Sequence, residues 1–415
     1  MTFRDWQQLS PADAAREVHQ RVRTRLSPAQ QRAVIAQLST EAELAAAFAE
    51  APRGRPLSGV PYFLKDLFPV AGQPMFAGST FLPEVRPLAT QDAAIVQKLR
   101  AAGAVLAGRT HLQEFAYGIT GENPHYGDCE HPRFPGHLTG GSSSGSAAVV
   151  AAGIVPLALG TDTGGSVRVP AAFCGLFGFR LTPRDPLISD AFPLAPSYDT
   201  AGWFTANAGD MAAAIGSLTG LAASLRTPRG CYVELSGLEP DVALACNTAA
   251  ARIASVDASA GAAVKAALEQ SVDTYNTVVA DEAWRVHLSW AARFQDRYDP
   301  AVWQRLNRVH ALTGQQREAA RQSTAAIQRM WQDYFRSHDF LVLAASPFPA
   351  PTKAECTLEN RTRILTLTSP ASIGGYPVLT VPLPLPSGLT TGLQIVVPQV
   401  NSAAIGWVLD EFTAR

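Results

Sequence analysis

The sequence predicts an α/β protein, and three observations carry that prediction. From residue 60 onward, short runs rich in Val, Leu, Ile and Phe alternate with stretches that have helix-start signals and helical spacing, as when strands and helices take turns along one chain. Apolar residues make up 47% of the 415 and charged residues 17%, enough to bury a large core in one big domain or in two or three smaller ones. Neither an internal repeat nor a low-complexity tract interrupts the alternation.

The elements follow in order. Ser10-Pro11 and Ser27-Pro28 each open a helix, because serine caps the first turn and proline fits inside it; Gln30 adds a capping box. A third helix is expected over residues 40–49, so residues 1–50 form an N-terminal helical arm, with residues 51–415 as the catalytic domain. The Arg-rich face at residues 21–25 suits solvent, and a homodimer contact is its other use. Residues 53–58 connect to a strand at 60–70. A helix over 92–102 and a strand over 104–108 come next, and Thr110 caps a short helix ending near Gly118. Residues 121–138 carry prolines and histidines without periodicity and read as a loop over the site. Then follow a helix at 144–152, a strand at 154–159, a helical turn at 169–174 and a strand at 176–181. Residues 260–337 are mostly helical. Core strands are expected at 340–345, 378–381 and 393–397, and proline-rich loops at 347–351 and 382–386.

Composition excludes several function classes. Lys plus Arg is 34 and Asp plus Glu is 35, a net charge of −1, which leaves no electrostatic footprint for nucleic acid or an anionic membrane. Five cysteines without a Cys-x-x-Cys read as reduced thiols of a cytoplasmic protein. The eight histidines show no zinc-type spacing, so no metal is expected. The N-terminus lacks the apolar core of a signal peptide, and the longest nearly apolar run, residues 147–160, is too short to span a bilayer.

Chemistry concentrates in residues 140–171, where two Gly/Ser clusters flank a small-residue apolar segment. The first holds Ser142, Ser143, Ser144 and Ser146; the second holds Thr161, Asp162, Thr163 and Ser166 among Gly160, Gly164 and Gly165. Such turns bring backbone N–H groups close to a bound group, although many glycine-rich turns bind nothing. A phosphate loop is excluded because no lysine follows Gly145. Ser166 is a candidate nucleophile, with the backbone of Thr163, Gly164, Gly165 and Ser166 as the oxyanion hole. No histidine lies in either cluster; His125, His131 and His137 in the preceding loop are alternative bases. Lys65 is the other candidate. Burial among the aromatic residues of its strand would lower its pKa toward neutrality, unless it snorkels to solvent or pairs with Asp66. Asp162 is expected to hold its loop through backbone hydrogen bonds, and Cys174 to be a small buried residue.

The order of these residues resembles the amidase signature family. Its pattern, Gly-Gly-Ser-Ser-(Ser or Gly)-Gly, an alanine-rich helix and Gly-Thr-Asp-x-Gly-Gly-Ser-(Val or Ile)-Arg-x-Pro, is filled at every constrained position from Gly140 to Pro170. Residues 59–66, 102–110, 197–202 and 372–377 resemble further family landmarks, so the likeness covers roughly residues 50–415. The resemblance implies a large mixed β-sheet covered by helices on both faces. It implies a Ser-Ser-Lys triad of Ser166 as nucleophile, Ser142 as bridging serine and Lys65 as base, with a cis peptide before Ser142, Ser143 and Arg168 as orienting residues, and no cofactor. The expected activity is hydrolysis of a small amide through an acyl-enzyme. An amidotransferase A-type subunit and a catalytically silent scaffold are the alternatives.

Residues 121–127, 174–180 and 199–204 look like those of plant indole-3-acetamide amidases, and residues 282–287 and the compact length like those of bacterial malonamidases. His131-Pro132 departs from the usual Asn-Pro. The expected substrate is an uncharged amide with an aryl or apolar acyl group, lined by Phe115, Ala116, Tyr117, Gly118 and Asn123. Its rival is a short acidic amide, which needs a buried arginine, with Arg133 and Arg168 as candidates.

Overall fold

The computed structural model describes residues 1–413. Eleven strands form one mixed sheet: β1 (Ile35–Leu38), β2 (Pro61–Lys65), β3 (Val105–Thr110), β4 (Leu157–Asp162), β5 (Phe177–Arg180), β6 (Thr200–Thr205), β7 (Gly230–Tyr232), β8 (Ser255–Val256), β9 (Phe340–Ala344), β10 (Val378–Pro384) and β11 (Thr390–Val396). Their order across the sheet is β1-β3-β2-β4-β6-β5-β10-β11-β9-β7-β8. β2 runs parallel to both β3 and β4, whereas β6, β5, β10, β11 and β9 pair antiparallel in turn.

Alternation along the strands splits the apolar side chains between two cores. Tyr62, Leu64, Leu157, Leu159 and Trp203 belong to one; Phe63, Ala158 and Phe204 belong to the other, with Val149 and Val150 of the helix Ser144–Ala151. Period-2 side chains on a sheet buried on both faces produce this split. Lys65 follows Phe63 by two residues, so the alternation turns it toward the face that carries the helix Ser144–Ala151.

The N-terminal helices Pro11–Arg25, Pro28–Val34 and Glu41–Glu50 start at serine or threonine caps, as the sequence suggests. The segment is not purely helical: β1 lies inside it and pairs with β3 at the edge of the sheet, and Val18, Val22 and Leu44 share a core with the helix Ser144–Ala151.

Other expectations shift. β2 stops at Lys65 instead of running to residue 70, because Leu67 and Phe68 N–H groups fold back in a turn onto the Lys65 carbonyl. Thr110 ends β3 and donates to or accepts from Ser146 at 2.8 Å; the helical turn comes later, as a 3₁₀ turn at Glu114–Ala116. β4 lies three residues beyond the expected 154–159. β10 continues through Pro382 and Pro384, where a loop is expected. Beyond Thr380 only β11 flanks it, so the missing proline N–H groups face no strand.

Candidate active site

The site forms where the parallel strands β2 and β4 end, the usual location of ligand sites in such sheets. Lys65 is completely buried. Its Nζ donates to Ser142 Oγ at 2.8 Å, Ser143 Oγ at 3.0 Å and Thr161 Oγ1 at 2.8 Å. Gly160 makes room for this arrangement: a Cβ there would lie 2.7 Å from Ser143 Oγ. The carboxylate that follows Lys65 points elsewhere, since Asp66 pairs with Arg109 and accepts from the Phe76 N–H. Burial pulls the Lys65 pKa from its ordinary 10.5 to about 7, against the opposing pull of the Asp162 and Asp199 charges. A lysine surrounded by three hydroxyls and no paired carboxylate gives up its proton near neutrality.

The peptide between Gly141 and Ser142 is cis. The Ser143 N–H donates to the Ser166 carbonyl at 3.3 Å, which ties the first Gly/Ser cluster to the second. Ser143 Oγ also donates to the Thr161 carbonyl at 3.0 Å, which orients the hydroxyl that Lys65 meets.

The turn carrying Ser166 is built around Asp162. Its carboxylate accepts from the N–H groups of Gly165 at 2.8 Å, Val167 at 3.0 Å and Arg168 at 3.2 Å. It also receives Arg168 Nε at 3.1 Å, Arg168 Nη2 at 2.9 Å and Arg180 Nη1 at 3.0 Å. Burial alone would raise the Asp162 pKa; Arg168 and Arg180 overcome it and hold the group ionised well below the usual carboxylate range. Gly165 takes φ +128° inside this turn, where a side chain would be strained. Thr163 Oγ1 donates to Asp199 Oδ1 at 2.6 Å, and Thr368 Oγ1 donates to the Gly164 carbonyl.

One expected oxyanion donor is occupied, because the Gly165 N–H is bound to Asp162. The N–H groups of Thr163, Gly164 and Ser166 make no hydrogen bond among the described residues. Arg168 does not reach toward substrate; its remaining N–H groups go to the Thr368 carbonyl, Gln394 Oε1 and Ser372 Oγ, each at 2.7 Å. It is part of the frame under the turn.

The expected acyl lining is mostly spent on the fold. Phe115 is fully buried and packs edge-on against His287 at 4.6 Å and near Phe81, Phe192 and Tyr298. Asn123 Nδ2 donates to the Gly78 and Leu112 carbonyls, both at 2.8 Å, and its Oδ1 accepts from the His125 and Tyr126 N–H groups. Ala116 holds a positive φ of 59°, and a Cβ on Gly118 would strike the Gln113 amide. Tyr117 is buried, with its carbonyl bound by Arg305. Arg133 caps the Cys174 carbonyl at 2.9 Å. The loop histidines have partners of their own: His125 meets Glu114, His137 meets the Ala350 carbonyl, and the His131 Nδ1 accepts from the Arg133 N–H.

Sequence reasoning missed Arg180, Asp199, Thr368 and Gln394. Arg180 and Asp199 stand inside stretches that resemble family landmarks, which was the available signal; Thr368 and Gln394 lie two hundred residues downstream and carried none. All five cysteines are unpaired. No helix of the described residues is long and apolar enough to cross a membrane, and no group of three or more His, Cys, Asp or Glu among them is placed to hold a metal ion.

Comparison with known proteins agrees with the fold and the motifs. The sequence profile described as Amidase matches residues 16–273, and the chain belongs to this family, the amidase signature family of amide hydrolases. Among individual proteins, it is 44% identical over 203 residues to an indoleacetamide hydrolase of Pseudomonas savastanoi, covering 47% of this chain and 44% of that protein. The match thus spans less than half the length of that relative. It is 32% identical over 386 residues to a 1-carboxybiuret hydrolase subunit of Pseudomonas sp. (strain ADP), covering 84% and 82%. A solved structure titled as the crystal structure of an amidase superposes with a TM-score of 0.84 at 31% identity, over 100% of this chain and 98% of that one.

Proposed function

We propose that this protein cleaves a small carboxamide to a carboxylate and ammonia or an amine, through an acyl-enzyme on Ser166. The observation that carries the reading is the 2.8 Å contact between the buried Lys65 Nζ and Ser142 Oγ, with the lysine pKa near 7. Neutral Lys65 accepts the Ser142 proton as Ser142 takes the proton of Ser166. Ser166 Oγ attacks the amide carbon, and the negative oxygen meets the N–H groups of Thr163, Gly164 and Ser166. The proton returns through Ser142 to the leaving nitrogen, and water then repeats the sequence on the acyl ester. Ser143 fixes the lysine in line with Ser142.

The relatives support amide cleavage and differ in acyl group: one name specifies an aryl amide, indoleacetamide, the other a carboxylated one. The test is labelling with a serine-reactive phosphonofluoridate and ammonia release from an amide panel. Ser166→Ala should lose the adduct and at least about 10⁴-fold in kcat, the scale on which a lost nucleophile acts, with circular dichroism unchanged. An adduct mapped to Ser142 or Ser144 would overturn the assignment. Cleavage of glutamine alone, dependent on an added partner, would move the protein to the amidotransferase alternative.

A further inference from the structure

Arg361, Arg305 and Arg308 lie close enough to feel one another's charge, and none of the three makes an ion pair among the described residues. Arg361 lies on the helix Leu358–Gly374 and is 7% exposed. Its Nε is sealed from solvent with no partner, and its guanidinium makes neither an ion pair nor a hydrogen bond among the described residues, whereas its neighbour in sequence, Arg363, binds Asn360 and the Gly237 carbonyl. Arg305 spends one N–H on the Tyr117 carbonyl at 2.5 Å, and neither it nor Arg308 pairs with an acid. The acids whose charges reach Arg305 are Asp299 and Glu122. Both act at a distance, without a hydrogen bond or ion pair to Arg305: Asp299 accepts from the Ala301 N–H at 2.8 Å and Glu122 from Thr120 Oγ1 at 2.9 Å. Burying a cation this way is costly unless an anion arrives to share the site.

Two contacts connect this cluster to the chemistry. Thr368, whose hydroxyl holds the Gly164 carbonyl, is two helical turns beyond Arg361 and on the same face, about 10 Å along the axis. Tyr275 fills the space against the turn, since a Cβ on Gly164 would lie 2.4 Å from its hydroxyl. Burial raises the pKa of both Tyr275 and Tyr117, and Arg361 is the first charge opposing that rise in each. The cluster, the two tyrosines and the Gly164 turn are one neighbourhood.

We propose that the amide cleaved here carries a carboxylate, and that the Arg361 guanidinium, flanked by Arg305, is the counter-ion waiting for it. This rests on the reading of Ser166 as the acylated residue. It replaces the uncharged aryl amide of the sequence expectation, whose lining is committed to packing, and it moves the required arginine from Arg133, an exposed loop residue that caps the Cys174 carbonyl, and from Arg168, which is fully engaged, to Arg361. A guanidinium suits the task because its planar fork matches a carboxylate in two hydrogen bonds.

The experiment pairs substrates of matched length. Ammonia release from succinamate and malonamate is compared with that from butyramide, propionamide and phenylacetamide, using the full chain and its Arg361→Met and Arg361→Lys variants. The acidic amides should be preferred in kcat/KM by at least about tenfold, and Arg361→Met should cost them about 30- to 100-fold, the range for a charged hydrogen-bonded pair. The neutral amides should stay within about twofold, and Arg361→Lys should recover part of the loss because it keeps the charge without the fork. Equal or better cleavage of the neutral amides by the unaltered chain, or an equal loss on both classes in Arg361→Met, overturns the proposal.

Thermal stabilisation by succinate separates the anion site from the chemistry. It should appear in the unaltered chain and in Ser166→Ala and vanish in Arg361→Met. No stabilisation of the unaltered chain overturns the anion site even where neutral amides are cleaved. Stabilisation without cleavage of any amide sinks the acyl-enzyme reading and leaves the anion site standing.

Discussion

Arg168 packs against the helix Leu358–Gly374 and Arg361 belongs to it; both are buried, and they are opposites. Arg168 uses all five side-chain N–H groups: two on Asp162, and one each on the Thr368 carbonyl, Gln394 and Ser372. A guanidinium has five such donors, so nothing is left for a ligand. Arg361 spends none among the described residues. The difference teaches how to separate a structural cation from a binding one when burial is the same. A satisfied network fixes geometry, and an unsatisfied charge specifies what is missing. Lys65, another buried cation, solves the same problem differently, with a pKa pulled down to about 7.

Substitutions at these three positions should have very different consequences. The largest belongs to Lys65. Lys65→Met should cost amide turnover about a thousandfold, within the range for removing a general base, and cost an activated ester much less, because an ester leaving group needs no proton. Equal losses on both would remove Lys65 from proton transfer. In the unaltered chain kcat/KM should rise through a limb near pH 7. Stability follows the same group. Its pKa is depressed in the folded state from 10.5 to about 7, so the unfolded chain holds the extra proton between those values and stability rises with pH across that window. Lys65→Met should therefore be the more stable protein at pH 7, and its advantage should shrink as the pH approaches 10. A constant difference in melting temperature across that range would contradict the shift.

Arg168→Met should come next. It leaves Asp162 with Arg180 as its only cation and Gln394 Oε1 without its donor, so urea denaturation should register a loss of about 3–5 kcal/mol, as for one partner taken from a buried pair. All substrates should suffer alike, because the Ser166 turn itself loosens. The smallest effect on stability belongs to Arg361→Met, which replaces an unpartnered charge with an apolar chain of similar length. Its unfolding free energy should change by less than about 1 kcal/mol or increase. A loss as large as that of Arg168→Met would mean that Arg361 is framework after all and would erase the contrast.

The legible part of the site was the part written in short, unusual words. Two Gly/Ser clusters and a lysine in an apolar strand single out Lys65, Ser142 and Ser166 as candidates because such chemistry restricts the residue types allowed, and the fold brings Lys65 Nζ to 2.8 Å from Ser142 Oγ. The strand β4 was harder: its apolar run ends at Leu159, but its last residues, Gly160, Thr161 and Asp162, are polar because they face the site. The expected acyl lining shows a different limit. Phe115 is aromatic and close to the motif in sequence, yet its positive φ of 51° turns it into the aromatic core around His287, and no periodicity encodes such a turn. Arg361 and Arg363 are indistinguishable in the sequence. Only the packing of the helix against distant residues such as Tyr117 and Tyr275 buries one and leaves the other partly exposed.

That helix also sets the order in which the enzyme can come into being. The Ser166 turn is clamped from Thr368 onto Gly164, across 204 residues of chain, and Arg168 is clamped across 200 to 226 residues onto Thr368, Ser372 and Gln394. During synthesis, a nascent chain ending before this helix already contains Lys65, Ser142 and Ser166 but lacks the groups that hold the Ser166 turn. If Ser166 is the nucleophile as proposed, its reactivity is thereby deferred until the last seventh of the polypeptide, from Leu358 onward, has been made.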